Sequence, residues 1–293
     1  MRFATLDIDG RARPVVISDD ARSYCDVRHL LPGFDGDMID LIAQVPAPAQ
    51  AAAFAHIESW QALDGRPTLA PLNVRRNIFC VGKNYHEHAK EFSQSGFDSS
   101  AQTGEFAPPA PVIFTKPAST VVGDMAPVSA FEHLTEQLDY EVELAVVIGK
   151  PGIGITKAQA FDHVWGYTIV NDVTARDLQQ KHRQWFLGKS LDTFCPMGPW
   201  LVTADQVDGA NLDVRCWING ELRQNANTRD LIFDIPTIIE TLSAGITLLP
   251  GDVIATGTPA GVGIGFKPPR FLKKGDVMKL SIDMLGTLTN HVK

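Results

Sequence analysis

Asp139-Tyr140-Glu141-Val142-Glu143-Leu144 opens an apolar run, Ala145-Val146-Val147-Ile148, that stops at Gly149. Its length and aliphatic content are those of a buried strand, and a strand points alternate side chains to the same face. Glu141 and Glu143 therefore share a face, about 7 Å apart along the backbone. Two carboxylates so placed repel each other unless water, a base or a cation lies between them. Trp165-Gly166-Tyr167-Thr168-Ile169-Val170 reads as a second strand and ends in Asn171-Asp172. If the two strands meet, three carboxylates converge on a hard-oxygen site suited to Mg²⁺, Mn²⁺ or Ca²⁺. The plainer reading uses the same residues: a solvated E-x-E face, then an Asp that caps a turn or helix.

Composition narrows the function classes. A chain of 293 residues buries a large core and is long enough for one big domain or two. The formal net charge of −8, with no basic stripe against it, argues against a nucleic acid or an anionic membrane as partner. No run reaches the ~18 apolar residues of a membrane span, and Met1-Arg2-Phe3-Ala4-Thr5-Leu6-Asp7 does not read as a signal peptide. Cys25, Cys80, Cys195 and Cys216 are widely spaced, without a C-x-x-C. That spacing fits reduced thiols of a cytoplasmic protein better than a disulfide framework or a zinc site.

Residues 1–72 read as a small α+β accessory domain. Phe3 to Gly10 and Pro14 to Ile17 form a hairpin that turns at Asp9-Gly10. A short helix starts at Asp37 and stops before Pro46, and the Ala-rich stretch Ala49 to Ala62 is expected to be helical. Pro67 to Pro71 reads as the linker to the remainder, residues 73–293.

Chemistry-bearing residues begin after the strand Asn77 to Gly82. In Lys83-Asn84-Tyr85-His86-Glu87-His88-Ala89-Lys90-Glu91, Asn84 and Glu87 are placed to cap a short helix. On that helix His88 and Glu91 are i,i+3 neighbours, so the carboxylate can orient the imidazole as a general base requires. An incidental His–Glu pair on a solvated helix is the bland alternative. Residues 92–111 are rich in Ser, Gly and Pro and read as a loop, either a lid over His88 or a surface insertion.

After Asp172, Thr174 and Asp177 are placed as helix cap and partner, with Arg176 and Gln179 on one face near the carboxylates. An Arg and an amide beside a cation suit a substrate carboxylate. Gly188 to Pro199 reads as a polar, turn-rich loop carrying Lys189, and it lacks the upstream glycine of a P-loop. Near the C-terminus, strand-like runs flank Gly257-Thr258-Pro259-Ala260-Gly261-Val262-Gly263, whose glycines allow backbone N–H groups to approach an anion.

Taken together, these segments resemble the fumarylacetoacetate hydrolase family. The motifs that carry the resemblance are Gly82-Lys83-Asn84-Tyr85 with His88, Asp139 to Leu144, Asn171 to Gln179, Gly188-Lys189-Ser190 and Gly257 to Gly263, in the family's order. The resemblance spans about residues 75–293. It implies a mainly β protein with short helices: a mixed β-sandwich roll as catalytic domain, paired as a homodimer, beside the small N-terminal domain.

It also implies site roles. Glu141, Glu143 and Asp172 match the divalent-metal ligands, for Mg²⁺ or Mn²⁺, with Ca²⁺ as a substitute. His88, Glu91 and Lys189 match catalytic positions; Arg176, Gln179, Thr258 and Tyr85 match positions that line the substrate pocket. The implied activity is metal-dependent hydrolysis of a carbon–carbon bond in a β-diketo acid, such as an acylpyruvate or a diketo-deoxy sugar acid. The alternative is a lyase on the same scaffold: a 2-oxo-acid decarboxylase, hydratase or isomerase. Fold and metal site do not separate these reactions.

Overall fold

The computed structural model describes residues 1–46, 52–96 and 106–293. Val142–Ile148 pairs antiparallel with Val164–Asn171, Val142 opposite Asn171 and Val147 opposite Gly166. Gly166 is needed there, because a Cβ would come within 2.2 Å of the Val202 carbonyl oxygen on the next strand, Cys195–Thr203. On the other side, Val142–Ile148 pairs with Val253–Ala255, which runs parallel to Ile78–Gly82, and Val112–Lys116 completes that edge. In the opposite direction Cys195–Thr203 pairs with Arg2–Ile8, followed by Arg11–Ile17, Ser23–Asp26 and Gln61–Ala62. With Val121–Val122 beside Cys195, the described residues form one sheet of 11 strands.

Both faces of this sheet are covered, which is why its central strands read as uninterrupted aliphatic runs rather than alternating ones. Val142, Leu144, Val146 and Ile148 share one core with Tyr167 and Ile169. The same core holds Val214, Met278 and Leu280, and Ile238 and Ile239 of the helix Ile235–Ser243. Val214, Met278 and Leu280 belong to a second sheet, of five strands, ordered Glu221–Asn227, Asp213–Ile218, Val277–Ile282, Gly286–Val292 and Pro127–Val128. Ala145 and Val147, on the opposite face, share a core with Phe3, Trp165 and the helix Met38–Gln44 through Met38, Ile39 and Ile42. The architecture is mainly β with short helices, and no barrel closes among the described residues.

Several local expectations are met and others are replaced. The hairpin turns at Asp9-Gly10, both with positive φ (55° and 74°), as a two-residue turn between twisted strands requires. Asp37 caps Met38–Gln44 in a reciprocal capping box with Asp40. The helix expected over Ala49 to Ala62 is not formed in its described part, which holds a short 3₁₀ turn, Ala52–Phe54, and a strand, Gln61–Ala62. Alanine propensity is a weak force. Here Phe54 is instead buried edge-on against Phe3 at 5.6 Å, while Ala62 pairs with Ser23.

The expected linker lies against the first strand, with the Leu69 N–H donating to the Thr5 carbonyl at 2.9 Å and the Thr5 hydroxyl to the Pro71 carbonyl at 2.8 Å. Sheet and core thus run across the boundary drawn near residue 72. The turn-rich reading of Gly188 to Pro199 also changes, because Cys195–Thr203 is a central strand. Its Gly198-Pro199 sits where the pairing register slips opposite Tyr167 to Ile169, a position that tolerates proline inside a sheet. All four cysteines are buried and free. No helix among the described residues is long and apolar enough to cross a membrane.

Candidate metal and acid-base site

The antiparallel register of Val142–Ile148 on Val164–Asn171 brings Glu141 and Glu143 to the end of the strand that Asp172 follows. One ligand oxygen from each of these three carboxylates lies within 4.8 Å of the other two. All three residues are buried, the most exposed being Glu141 at 4%. Buried anions at this spacing are costly unless cations or hydrogen bonds surround them.

Most of the compensation is visible in the side chains around them. Lys189 Nζ donates to Glu141 Oε2 and to Asp172 Oδ2, both at 2.7 Å. Arg176 donates from Nη2 to Glu141 Oε1, from Nε to Asp139 Oδ2 at 2.9 Å, and from Nη1 to Gln179 Oε1 at 3.2 Å. Asp139 also accepts the Gly263 N–H at 2.6 Å, which ties Arg176 to the glycine-rich turn.

Glu143 differs from its neighbours. It accepts the Gly257 N–H at 2.8 Å, and among the described residues no ion pair reaches it. Burial, and then the charges of Asp172 and Glu141, push its pKa well above the usual carboxylate range. Burial alone would also raise Glu141, but Lys189 and Arg176 outweigh it and hold that carboxyl below its ordinary value. A divalent cation fits this donor set: hard oxygens converge, and Glu143 is the one of the three carboxylates with no ion pair among the described residues.

His88 comes from the helix His86–Gln94. The expected cap does not form there, because Asn84 is fully buried and its amide is used elsewhere. It donates to the Phe233 and Thr256 carbonyls at 3.0 and 2.7 Å and accepts the Phe233 N–H at 2.7 Å, pinning the start of the helix to two distant segments. Thr174 and Asp177 likewise do not cap Arg176–Lys181; the Thr174 hydroxyl donates to the Asp172 carbonyl and Asp177 accepts from Thr135.

His88 Nδ1 lies 3.2 Å from Glu91 Oε2, the i,i+3 pairing expected from the sequence. The Glu91 carboxylate is held in turn by the Gly261 N–H at 3.0 Å. Gly265 makes room for it, since a Cβ there would lie 1.7 Å from Glu91 Oε1.

These groups meet around a narrow cavity. Lys83, His88, Glu141, Glu143, Arg176, Gln179, Lys189 and Thr258 supply its polar lining, and Val81, Phe92, Phe114 and Trp185 its apolar wall. Gly82 lies flat against that wall, for a Cβ would meet the Trp185 ring at 2.3 Å. Glu91 stands behind His88, and Tyr85 lines a neighbouring cavity with His86, Glu87, Arg229 and Asp230. Of the loop expected over residues 92–111, the first three continue the helix His86–Gln94, with Phe92 in the cavity wall, and residues 97–105 lie outside the described residues.

Sequence reasoning did not single out Lys116, which is 1% exposed and donates to Asp172 Oδ1 at 2.6 Å. The available signal was a lysine closing the apolar strand Val112–Lys116 just before Pro117. The apolar walls left no comparable trace, because aromatic residues spread over three segments look like ordinary core.

Residues 77–293 match the fumarylacetoacetate (FAA) hydrolase C-terminal family. This chain belongs to the fumarylacetoacetate hydrolase family. It is 54% identical over 218 residues to the oxaloacetate tautomerase YisK of Bacillus subtilis, a match covering 74% of this chain and 69% of that protein. Among solved structures it resembles the fumarylacetoacetate hydrolase of Exiguobacterium antarcticum, with a TM-score of 0.86, 44% identity and coverage of 100% and 99% of the two chains. The maleylpyruvate hydrolase of Sphingobium sp. SYK-6 is similar at a TM-score of 0.77 and 32% identity, with the same coverage. Family membership thus brings hydrolases and tautomerases together on one scaffold.

Proposed function

We propose that this family member interconverts the keto and enol forms of a small 2-oxo dicarboxylate of the oxaloacetate type, with Mg²⁺ or Mn²⁺ held by Glu141, Glu143 and Asp172. One observation carries the reading. A single acid-base pair, His88 with Glu91, adjoins a narrow cavity whose other polar groups are carboxylates, cations, an amide and a hydroxyl. That set supplies one proton-transfer group and a wall that stabilises negative charge, as keto–enol exchange requires. Similarity to an oxaloacetate tautomerase supports the same reaction.

When bound, the cation supplies Lewis acidity toward the oxygens of a 2-oxo acid and so lowers the cost of charge on the enolate oxygen. The chain's own residues do the rest. His88 carries a proton between the substrate carbon and oxygen; Glu91, fixed by Gly261, orients the ring and balances its charge when it is protonated. Lys189 sets a permanent positive charge beside the carboxylates, and Gln179 and Arg176 present polar groups along the same wall. The Thr258 hydroxyl accepts from Gln224 at 2.7 Å, which leaves its own O–H to donate into the cavity. Phe92, Phe114 and Trp185 keep bulk water from the reacting atoms.

Hydrolysis of a β-diketo acid is the second reading. The same His88–Glu91 pair has the form needed to take a proton from water, and the similarity to a maleylpyruvate hydrolase favours it. The test is a panel with Mg²⁺ or Mn²⁺: decay of enol-oxaloacetate absorbance, pyruvate release from acetylpyruvate and fumarylpyruvate, and carbon dioxide release from oxaloacetate. Accelerated enol decay that EDTA abolishes is expected. Background enol decay together with pyruvate release would establish the hydrolase instead, and carbon dioxide release alone a decarboxylase.

A further inference from the structure

We propose that Lys116 is a positioning residue that fixes Asp172 as a one-oxygen ligand and holds Lys189 beside it. Its Nζ donates to Asp172 Oδ1 at 2.6 Å, to the Val173 carbonyl at 3.1 Å, and to the Lys189 carbonyl. An ammonium has three donors, so this one is saturated and has no proton left for a substrate. Lys116 is also missing from the cavity lining and is 1% exposed. It acts through others.

The geometry says through which. Asp172 Oδ1 is taken by Lys116 and Oδ2 by Lys189, so the two lysines grip opposite oxygens of one carboxylate. Such a grip sets the side-chain torsion of Asp172 and decides which oxygen turns toward Glu141 and Glu143. The bond to the Lys189 carbonyl fixes the end of the short helix Phe186–Lys189, from which the second lysine projects. Lys116 itself closes the edge strand Val112–Lys116, which pairs with Ile78–Gly82. One ammonium therefore ties the sheet edge, the third carboxylate and the cavity lysine into a single register. A tripod of this kind does for the carboxylate what an outer hydrogen-bond partner does for a metal-bound histidine.

The role concerns cation binding and so does not depend on which reaction the enzyme performs. Lys116→Met keeps the length and removes the donors. Calorimetric titration with Mn²⁺ should show affinity weaker by about 10- to 100-fold, the usual cost of losing an outer partner. Turnover should fall in parallel while substrate KM at saturating Mn²⁺ changes much less. Lys116→Gln, which retains part of the hydrogen bonding, should fall between the two and serves if the methionine variant does not fold. Mn²⁺ affinity within about twofold of the parent in either folded variant would overturn the proposal, because a lysine that merely stabilised the fold would leave that number unmoved.

Discussion

The two wings of the long sheet are made of similar strands and bury opposite things. On the N-terminal wing, Phe3, Ala4, Val15, Val16 and Ile17 bury aliphatic and aromatic surface. On the other wing, Val142–Ile148 and Val164–Asn171 have the same aliphatic bodies but end in buried charge: Asp139, Glu141, Glu143 and Asp172 against Arg176, Lys189 and Lys116. The first wing contributes stability in proportion to the area it removes from water. The second bears the cost of desolvating a cluster of ions, which replacement by apolar side chains would often relieve. Placing both in one hydrogen-bonded sheet lets the packing half hold the charged half rigid.

That contrast can be broken from either side. The largest effect is expected at Glu143, the one of the three carboxylates without an ion pair among the described residues. Glu143→Gln should lower activity at least 100-fold, ligand loss costing no less than loss of an outer partner, with a native circular-dichroism spectrum. Calorimetry that finds unchanged Mn²⁺ affinity would remove Glu143 from the ligand set. His88→Ala and Glu91→Gln should each lower turnover by about 100-fold or more, the usual contribution of a general acid or base. Unlike Glu143→Gln, they should keep Mn²⁺ affinity, and titrating all three variants side by side separates the two roles.

On the packing wing the signs reverse. Phe3→Ala removes a fully buried ring that contacts Phe54 and Trp165, at 5.6 and 5.3 Å between centroids. It should cost about 3–5 kcal/mol of stability while the folded fraction retains near-normal turnover. Equilibrium denaturation paired with active-site titration checks both halves, and a selective loss of turnover would show that the wings are coupled. The smallest effect belongs to Arg75, which is 54% exposed and paired with Asp37 and Asp40. Arg75→Ala should change stability by no more than about 1 kcal/mol, as solvent screening dictates. A larger shift in denaturation midpoint would mean that the Met38–Gln44 helix depends on that pair.

What was legible in the sequence follows the range of each interaction. Glu141 and Glu143 two residues apart, His88 and Glu91 three apart, and the Asp9-Gly10 turn are local patterns, and each has the geometry that its spacing implies. Asp172 could be joined to them only on the supposition that two strands meet, which the register confirms. The pairing of Arg2 with Val202 has no local signature, so the first strands were expected to form a unit of their own. Cys195–Thr203 was hidden by its own prolines, since a strand that accommodates them through a register slip looks like a loop in one dimension. Asn84 and Thr174 were read as helix caps because capping is what exposed polar residues do; burial redirected both to carbonyls elsewhere.

The seam between Arg2–Ile8 and Cys195–Thr203 also has a meaning in time. The Met1 nitrogen bonds Thr203 across 202 positions of sequence. At a synthesis rate of about 5–20 residues per second, the first hairpin leaves the ribosome ~10–40 s before its partner strand exists. Throughout that interval Arg2–Ile8 presents an unpaired edge with Phe3 and Ala4 uncovered, the kind of surface on which neighbouring nascent chains pair. Slower elongation lengthens this exposure and lower chain density dilutes it. Recovery of soluble protein should therefore depend on expression rate more steeply than the stability of the finished fold would suggest.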